Sequence, residues 1–206
     1  MFSNPFTPES QKAKKSLLKQ ESKDLKLGLL SKKIENKIDD FERKVAFGPF
    51  EIKKSQVEFL KDLIEAVMEG ASYAMEDIDH YQAEEKIINE LKRSGKIDKA
   101  GNIIELTLNL LFVPRIPPTI KNLKNLKVLR AENLQLIELP EELWDCTELR
   151  VLYLDENELT HISDKIAQLK KLKDLNLGSN DLLIFSTKAQ LKKLLPNTII
   201  TFPKGL

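Results

Sequence analysis

The sequence predicts an α/β fold: a right-handed solenoid of short parallel strands, preceded by an α-helical hairpin or small bundle. Apolar residues recur every 23 positions from residue 103 onward, which is typical of stacked repeats. The first 100 residues instead carry apolar residues at helical spacing, with little Gly or Pro. We therefore expect three regions. Residues 1–25 should form a basic arm, either ordered or disordered, and residues 26–100 a helical domain or N-terminal cap. Residues 101–206 should form a repeat domain with a C-terminal cap.

The repeat has four copies, which start at Ile103, Leu126, Leu149 and Leu172. Apolar residues occupy the positions three, five and ten residues after each start. In chain order these are Leu106, Leu129, Leu152, Leu175; Leu108, Ala131, Leu154, Leu177; and Val113, Leu136, Leu159, Leu182. The second part of each copy keeps the same register. Its apolar residues are Ile116, Leu139, Ile162, Phe185; Ile120, Leu143, Ile166; and Leu123, Cys146, Leu169.

This pattern resembles the 23-residue leucine-rich repeat, L-x-x-L-x-L-x-x-N-x-L, with an L-P-x-x-I-x-x-L second half. The resemblance covers about residues 103–195. It implies one parallel strand, one turn and one return segment per repeat, with leucines of neighbouring coils stacked into a shared core. It also implies that Asn157 and Asn180 satisfy backbone groups at the turns. Leu111 and Leu134 stand at that position in the first two repeats, so we expect another support for those coils.

The first half predicts helices. Ser55 and Glu58 have the spacing of a capping box, and an apolar stripe follows them as far as Ile78. Gly48-Pro49 separates this stripe from an earlier one. The residues of the earlier stripe are Leu27, Leu30, Ile34, Ile38, Phe41 and Val45. A third helix is expected near Tyr81 to Arg93, ending at Gly95, and Lys188 to Leu195 followed by a strand over Thr198 to Phe202 should form the C-terminal cap.

Charge favours packing between the helical segments. Nine lysines and three acids lie between Gln11 and Lys37, whereas ten acids and two lysines lie between Gln56 and Glu90. This helical region could cover the Ile103 end of the repeats, or it could be a separate element for oligomerisation or docking.

Composition and the pattern of apolar residues limit the compartment in which this protein is expected. The formal net charge is +1, and the single cysteine, Cys146, excludes an intramolecular disulfide. No cleavable signal peptide and no run of about 18 apolar residues is visible. We expect a cytoplasmic protein, with non-classical export into a host left open.

No catalytic residues, cofactor or metal are expected. Cys146 falls at a core position, where a small buried hydrophobe is the ordinary interpretation. Glu76, His80 and Glu84 could share a helical face, but a second carboxylate-x-x-His element is missing. His161 should be exposed at a repeat turn. No phosphate loop or nucleophile elbow is present, so we do not expect an enzyme.

Nucleic acid, membrane and small-molecule ligands are also not expected. The basic segment before residue 38 lacks the interleaved aromatic residues that stack on bases, and its apolar face is irregular. Asn4-Pro5-Phe6 matches a tripeptide that endocytic adaptor domains bind, which three residues can do by chance.

The leading hypothesis is a non-catalytic protein-interaction module, such as a scaffold, adaptor or bacterial effector. Its partner should bind the concave face, where strand residues between the core leucines point outward. The predicted binding residues are Thr107, Asn109, Val128, Arg130, Glu132, Val151, Tyr153, Asp155 and Asn176. Other candidate surfaces are the helical region and the convex side near Trp144. The alternative is a structural protein that forms homo-oligomers through its N-terminal helices.

Overall fold

A computed structural model describes residues 44–73, 76, 78–109, 111, 113–183 and 185–204. The predicted arm over 1–25, the helical stripe before residue 42 and Asn4-Pro5-Phe6 therefore lie outside the described residues. The first described element is an antiparallel hairpin of β1 (Lys44–Phe47) and β2 (Phe50–Lys53).

The hairpin corrects one prediction. Val45, assigned to a helix from the sequence, lies in β1 opposite Ile52 of β2. Gly48 adopts φ +55 at the turn, a left-handed conformation that suits glycine and reverses the chain after Phe47. Phe47 and Ile52 are buried while their neighbours are more exposed, so burial here follows strand geometry.

Helix α1 (Lys54–Tyr73) buries one face, as its apolar stripe predicts. Its ends differ from the predicted ones. Because the helix begins at Lys54, Ser55 lies inside the first turn and is buried, and Glu58 accepts a hydrogen bond from Asn122 (3.0 Å) rather than closing a capping box. The helix ends at Tyr73 and does not reach Ile78. Just after this end, the Glu76 N–H donates to the carbonyl of Ala71 at 2.8 Å.

Helix α2 (His80–Ser94) and its end at Gly95 agree with the predicted third helix. Asp79 and Gln82 form a capping box, since each side chain accepts from the other residue's backbone N–H at 2.8 Å. Helix α2 contacts α1, and its buried residues Ala83, Ile87 and Leu91 belong to the same apolar core.

A mixed α/β arrangement follows, with a six-stranded sheet in the order β3-β4-β5-β6-β7-β8. Strand β3 pairs antiparallel with β4, and the remaining pairs are parallel. The strands are β3 (Lys96–Ile97), β4 (Ile103–Thr107), β5 (Val128–Arg130), β6 (Val151–Tyr153), β7 (Asp174–Asn176) and β8 (Ile199–Thr201). The return segments are 3-10 helices at Pro118–Asn122, Glu141–Asp145 and Asp164–Gln168, and α3 (Phe185–Leu194) in the last repeat.

Nearly all the predicted core positions with described side chains are buried, and Leu139 is half-buried. One core position and one residue predicted near the surface need correction. Leu182 is 56% exposed, and Leu183 is buried instead, because its N–H donates to the carbonyl of Asn180 and the chain shifts by one residue before α3. Trp144, expected near an exposed convex surface, is 1% exposed and packs in the core.

Polar contacts join α1 to the first coil of the repeats. Gln56 is 2% exposed, and its side-chain oxygen accepts from the Ile103 N–H at 2.8 Å. Asp62 accepts from the Thr119 hydroxyl at 2.6 Å, and Glu69 pairs with Arg115 at 2.9 Å. One hydrophobic cluster runs from Phe47 to Leu195 through helices and repeats alike. The predicted domain division at residue 100 stays a prediction.

Candidate protein-binding face

The strands align their outward residues in two rows. Residues paired across neighbouring strands lie about 4.8 Å apart, so each row forms a continuous strip. One row is Glu105, Val128, Val151, Asp174 and Ile199, and the other is Thr107, Arg130, Tyr153, Asn176 and Thr201. We call these two rows, with Asn109, Glu132 and Asp155 after the strands, the strand face. Every predicted binding residue is on it.

Most of the predicted residues are half-buried, which leaves part of each side chain available for contact. Thr107 differs, because it is only 6% exposed. Strand β4 also has β3 beside Ile103 and Glu105 and is contacted by α2, and at Thr107 the strand face is more covered than the sequence predicted.

Arg130, Tyr153 and Asp174 form a connected group at the centre of the strand face. The Arg130 guanidinium lies 5.0 Å from the centre of the Tyr153 ring, a cation–π distance. The Tyr153 hydroxyl donates to Asp174 Oδ2 at 2.9 Å. This hydrogen bond is the main reason that the pKa of Tyr153 is raised, since only the neutral phenol can donate. The three side chains are therefore held in place before any partner arrives.

The ends of the strands carry an acidic edge. The Asn109 side chain donates to the Glu132 carboxylate and accepts from the Glu132 N–H at 3.0 Å. Asp155 Oδ1 is buried, and within the described part of the chain it has no hydrogen-bond partner.

Sequence reasoning missed β3 and did not join the predicted final strand to the sheet of this surface. It placed the four repeat strands there, whereas β3 and β8 extend the sheet to six. Lys96 pairs with Glu105 at 3.5 Å at one end, and Ile199, 74% exposed, continues the Val128 row at the other. The Thr198–Phe202 segment was recognised as a strand, and its alternation of exposed and less exposed residues could have placed Ile199 and Thr201 on the strand face.

The two asparagines behave as the repeat pattern predicted. The Asn157 Nδ2 donates to the carbonyls of Ala131 (2.7 Å) and Leu154 (2.9 Å), while its Oδ1 accepts from the N–H groups of Leu134 and Leu136, both at 3.0 Å. Asn180 repeats this one coil later. Its partners are the carbonyls of Leu154 and Leu177 and the N–H of Leu159. Both side chains tie one coil to the next.

The cysteine, the two histidines and Glu76 were the other residues considered for chemistry. Cys146 is buried, its Sγ donates to the carbonyl of Ile120 at 3.3 Å, and burial raises its pKa to about 12, which keeps the thiol protonated. His161 is exposed, as expected. Glu76 precedes helix α2 and pairs with Lys86 at 3.0 Å, so the proposed helical face of Glu76, His80 and Glu84 does not form.

Neither a metal-binding cluster of side chains nor a membrane-spanning helix is found among the described residues. Within that part of the chain, His, Cys, Asp and Glu side chains do not gather in groups of three that could hold a metal ion. Nor does any of the described helices combine the length and the apolar character needed to cross a bilayer.

Comparison with known proteins identifies the repeat. Residues 147–194 match a family model described as leucine rich repeat. This part of the chain is a leucine-rich-repeat segment, as its 23-residue period predicted. Domains of this family are generally non-catalytic protein-interaction modules.

A solved structure of a leucine-rich-repeat protein from Leptospira interrogans shares 36% sequence identity over 43% of this chain, with a TM-score of 0.41. The match spans 22% of that longer protein. No curated protein matches the chain.

Proposed function

We propose that this chain is a non-catalytic protein-interaction module that binds a partner protein through the strand face. In this proposal the repeats form a right-handed solenoid with the strand face on its concave side. The observation that carries it is the Arg130–Tyr153–Asp174 group, which holds two hot-spot residue types fixed beside the half-exposed Val128 and Val151.

Three features support a protein ligand for this surface. The half-exposed valines offer apolar area, which aromatic and arginine neighbours commonly accompany at interface centres. The preorganised group loses little side-chain entropy on binding. Glu132 and Asp155 form an acidic edge, which favours a partner with basic side chains.

Six strands set the size of the surface. At about 4.8 Å per strand, the sheet is about 24 Å wide, enough for one peptide segment or helix of a partner. A modest interface is therefore expected, with an affinity in the micromolar range unless other surfaces add to it. We place the protein in the cytoplasm as part of the same proposal, as a scaffold, an adaptor or an effector. No comparable observation favours oligomerisation through the N-terminal helices.

The test is affinity capture from native lysate followed by mass spectrometry, with wild type compared against Tyr153→Ala/Arg130→Glu. The matched control is Tyr81→Ala/Lys99→Glu, which makes the same charge change and removes a tyrosine that is 73% exposed on α2. Circular dichroism and thermal melting should show that both variants fold. A protein lost only from the strand-face variant supports the proposal. Equal capture by all three forms contradicts it.

A further inference from the structure

A second charged surface lies where the strands begin. Lys127, Arg150 and Lys173 each occupy the position just before a strand, 23 residues apart. Their backbones are hydrogen-bonded in register, since the Arg150 N–H donates to the Lys127 carbonyl and the Lys173 N–H to the Arg150 carbonyl, both at 2.8 Å. The three cations are therefore stacked at about the 4.8 Å spacing of neighbouring strands.

This row opens into a groove of about 290 Å³, which we call the basic groove. Its lining residues are Arg150, Lys170, Lys171, Leu172, Lys173 and Asn197. The four cationic side chains are exposed, while Leu172 is buried beneath them. The groove thus presents four positive charges and one side-chain amide.

One carboxylate partly balances this charge. Glu148 accepts a hydrogen bond from Lys171, and the positive charges of Lys171, Arg150 and Lys127 add to that bond in lowering its pKa. Within the described residues, the side chains of Arg150, Lys170 and Lys173 form neither a hydrogen bond nor an ion pair. Like charges on neighbouring strands repel each other, so the row gains from a bound anion.

We propose that the basic groove binds an acidic segment of a partner protein, with successive carboxylates meeting Arg150, Lys173 and Lys170. This proposal goes beyond the strand face and can hold or fail independently of it. Arg150 can engage a carboxylate through two parallel N–H groups, while the lysines act as adaptable point charges.

The composition of the groove favours a peptide over other polyanions. Its six lining residues include no aromatic ring on which a nucleic-acid base could stack. They also offer no exposed apolar side chain to insert into a lipid layer. The distribution of charge along the strands also favours a peptide. The cationic row and the acidic edge at Glu132 and Asp155 are about five residues, or about 17 Å, apart. A partner segment with separate acidic and basic ends matches both.

The experiment measures fluorescence anisotropy of a labelled deca-glutamate peptide titrated with the full chain at low ionic strength. The groove variant is Arg150→Glu/Lys173→Glu, and the charge-matched control is Lys99→Glu/Lys204→Glu, on exposed residues away from the groove. We expect binding that is at least about tenfold weaker in the groove variant, unchanged in the control, and weakened by salt as exposed charges are screened. Arg150→Gln/Lys173→Gln serves if the double charge reversal fails to fold.

Three outcomes would overturn the proposal. One is an absence of binding to wild type, and another is an equal loss in groove and control variants, which would reduce the effect to net charge. The third is tighter, groove-dependent binding of a single-stranded oligonucleotide or of phosphatidylserine vesicles than of the peptide. The strand-face variant Tyr153→Ala/Arg130→Glu should still bind deca-glutamate, so failure of this proposal is distinguishable from failure of the first.

Discussion

The first and third coils of the repeats have similar leucines but different polar support. In the third coil, the buried side chain of Asn157 bonds two N–H groups and three carbonyls of the backbone from inside. In the first coil, Leu111 stands at that position, and support comes from outside, where Gln56 of α1 accepts from the Ile103 N–H. Asp62, Glu58 and Glu69 add side-chain bonds to the return segment of the same coil.

This contrast separates two requirements of a repeat. Apolar periodicity fixes where each coil packs, but every buried N–H and carbonyl still needs a partner. An internal asparagine meets that need when another coil precedes its own. The first coil has no such neighbour, so a helix supplies the groups instead.

The largest expected effect is at the internal support. Asn157→Ala should lower the free energy of unfolding by about 3–5 kcal/mol, because it leaves several buried backbone groups without partners. Urea denaturation monitored by circular dichroism measures this loss. Asn133→Gly is the control: this exposed residue has φ +56, and its replacement should change stability by less than about 0.5 kcal/mol. Equal losses in the two variants would show that the hydrogen bonds of Asn157 do not stabilise the fold more than an exposed residue does.

The external support should be weaker but measurable. Gln56→Ala removes one buried hydrogen bond to Ile103 and one to Asn102, and we expect a loss of about 2–3 kcal/mol. The same denaturation assay applies, with exposed Gln168→Ala as the matched control. A loss below about 0.5 kcal/mol would mean that strand pairing by β3, not α1, supports the first coil.

Introducing an internal asparagine into the second repeat should change the free energy of unfolding by a smaller amount. Leu134 occupies the asparagine position of the second repeat and is buried. Leu134→Asn should cost about 2 kcal/mol less than Leu136→Asn, because only the former places its amide beside backbone groups one coil earlier. Comparison of the two unfolding midpoints tests this. Equal costs would show that the first coil cannot accept the internal bonds.

The smallest effect concerns Cys146, whose Sγ bonds across the first and second coils. With its pKa raised to about 12, the folded thiol should react slowly with a thiol reagent near neutral pH and gain little between pH 7 and about 9. The unfolded chain, with an ordinary pKa, should react promptly and faster as pH rises over that range. Gln56→Ala should speed native labelling several-fold if loss of the external support opens this junction, and an unchanged rate would contradict that link.

The sequence predicted the repeats well because a core built from repeats depends on one local rule applied every 23 residues. It placed the strands, the asparagine bonds and the buried Cys146. It failed where the rule ends. Leu182 leaves the register before α3, β3 was not predicted, and the predicted final strand was assigned to a cap, whereas as β8 it widens the sheet. Val45 was misassigned because a short strand and one turn of helix share apolar spacing over a few residues.

The candidate site was predictable only in part. Strand alternation identified the outward columns, including Arg130 and Tyr153. The hydrogen bond from Tyr153 to Asp174, the cover over Thr107 and the orphan oxygen of Asp155 depend on side-chain geometry that periodicity does not determine. The basic groove joins residues of the third and fourth coils to Asn197 beyond the last one, which the repeat pattern alone does not connect.

The constant 23-residue offset between coils has a consequence for the length of this molecule. Bonds such as that from the Arg150 N–H to the Lys127 carbonyl recur one coil later from Lys173 to Arg150. A second copy of residues 149–171, inserted after the first, would therefore form the same backbone hydrogen bonds to the coil before it and to the coil after it. The sheet would lengthen by about 4.8 Å per inserted copy while α1 and α3 kept their present neighbours. Coil number is thus an adjustable dimension of this fold, which gene duplication could change without redesigning either end.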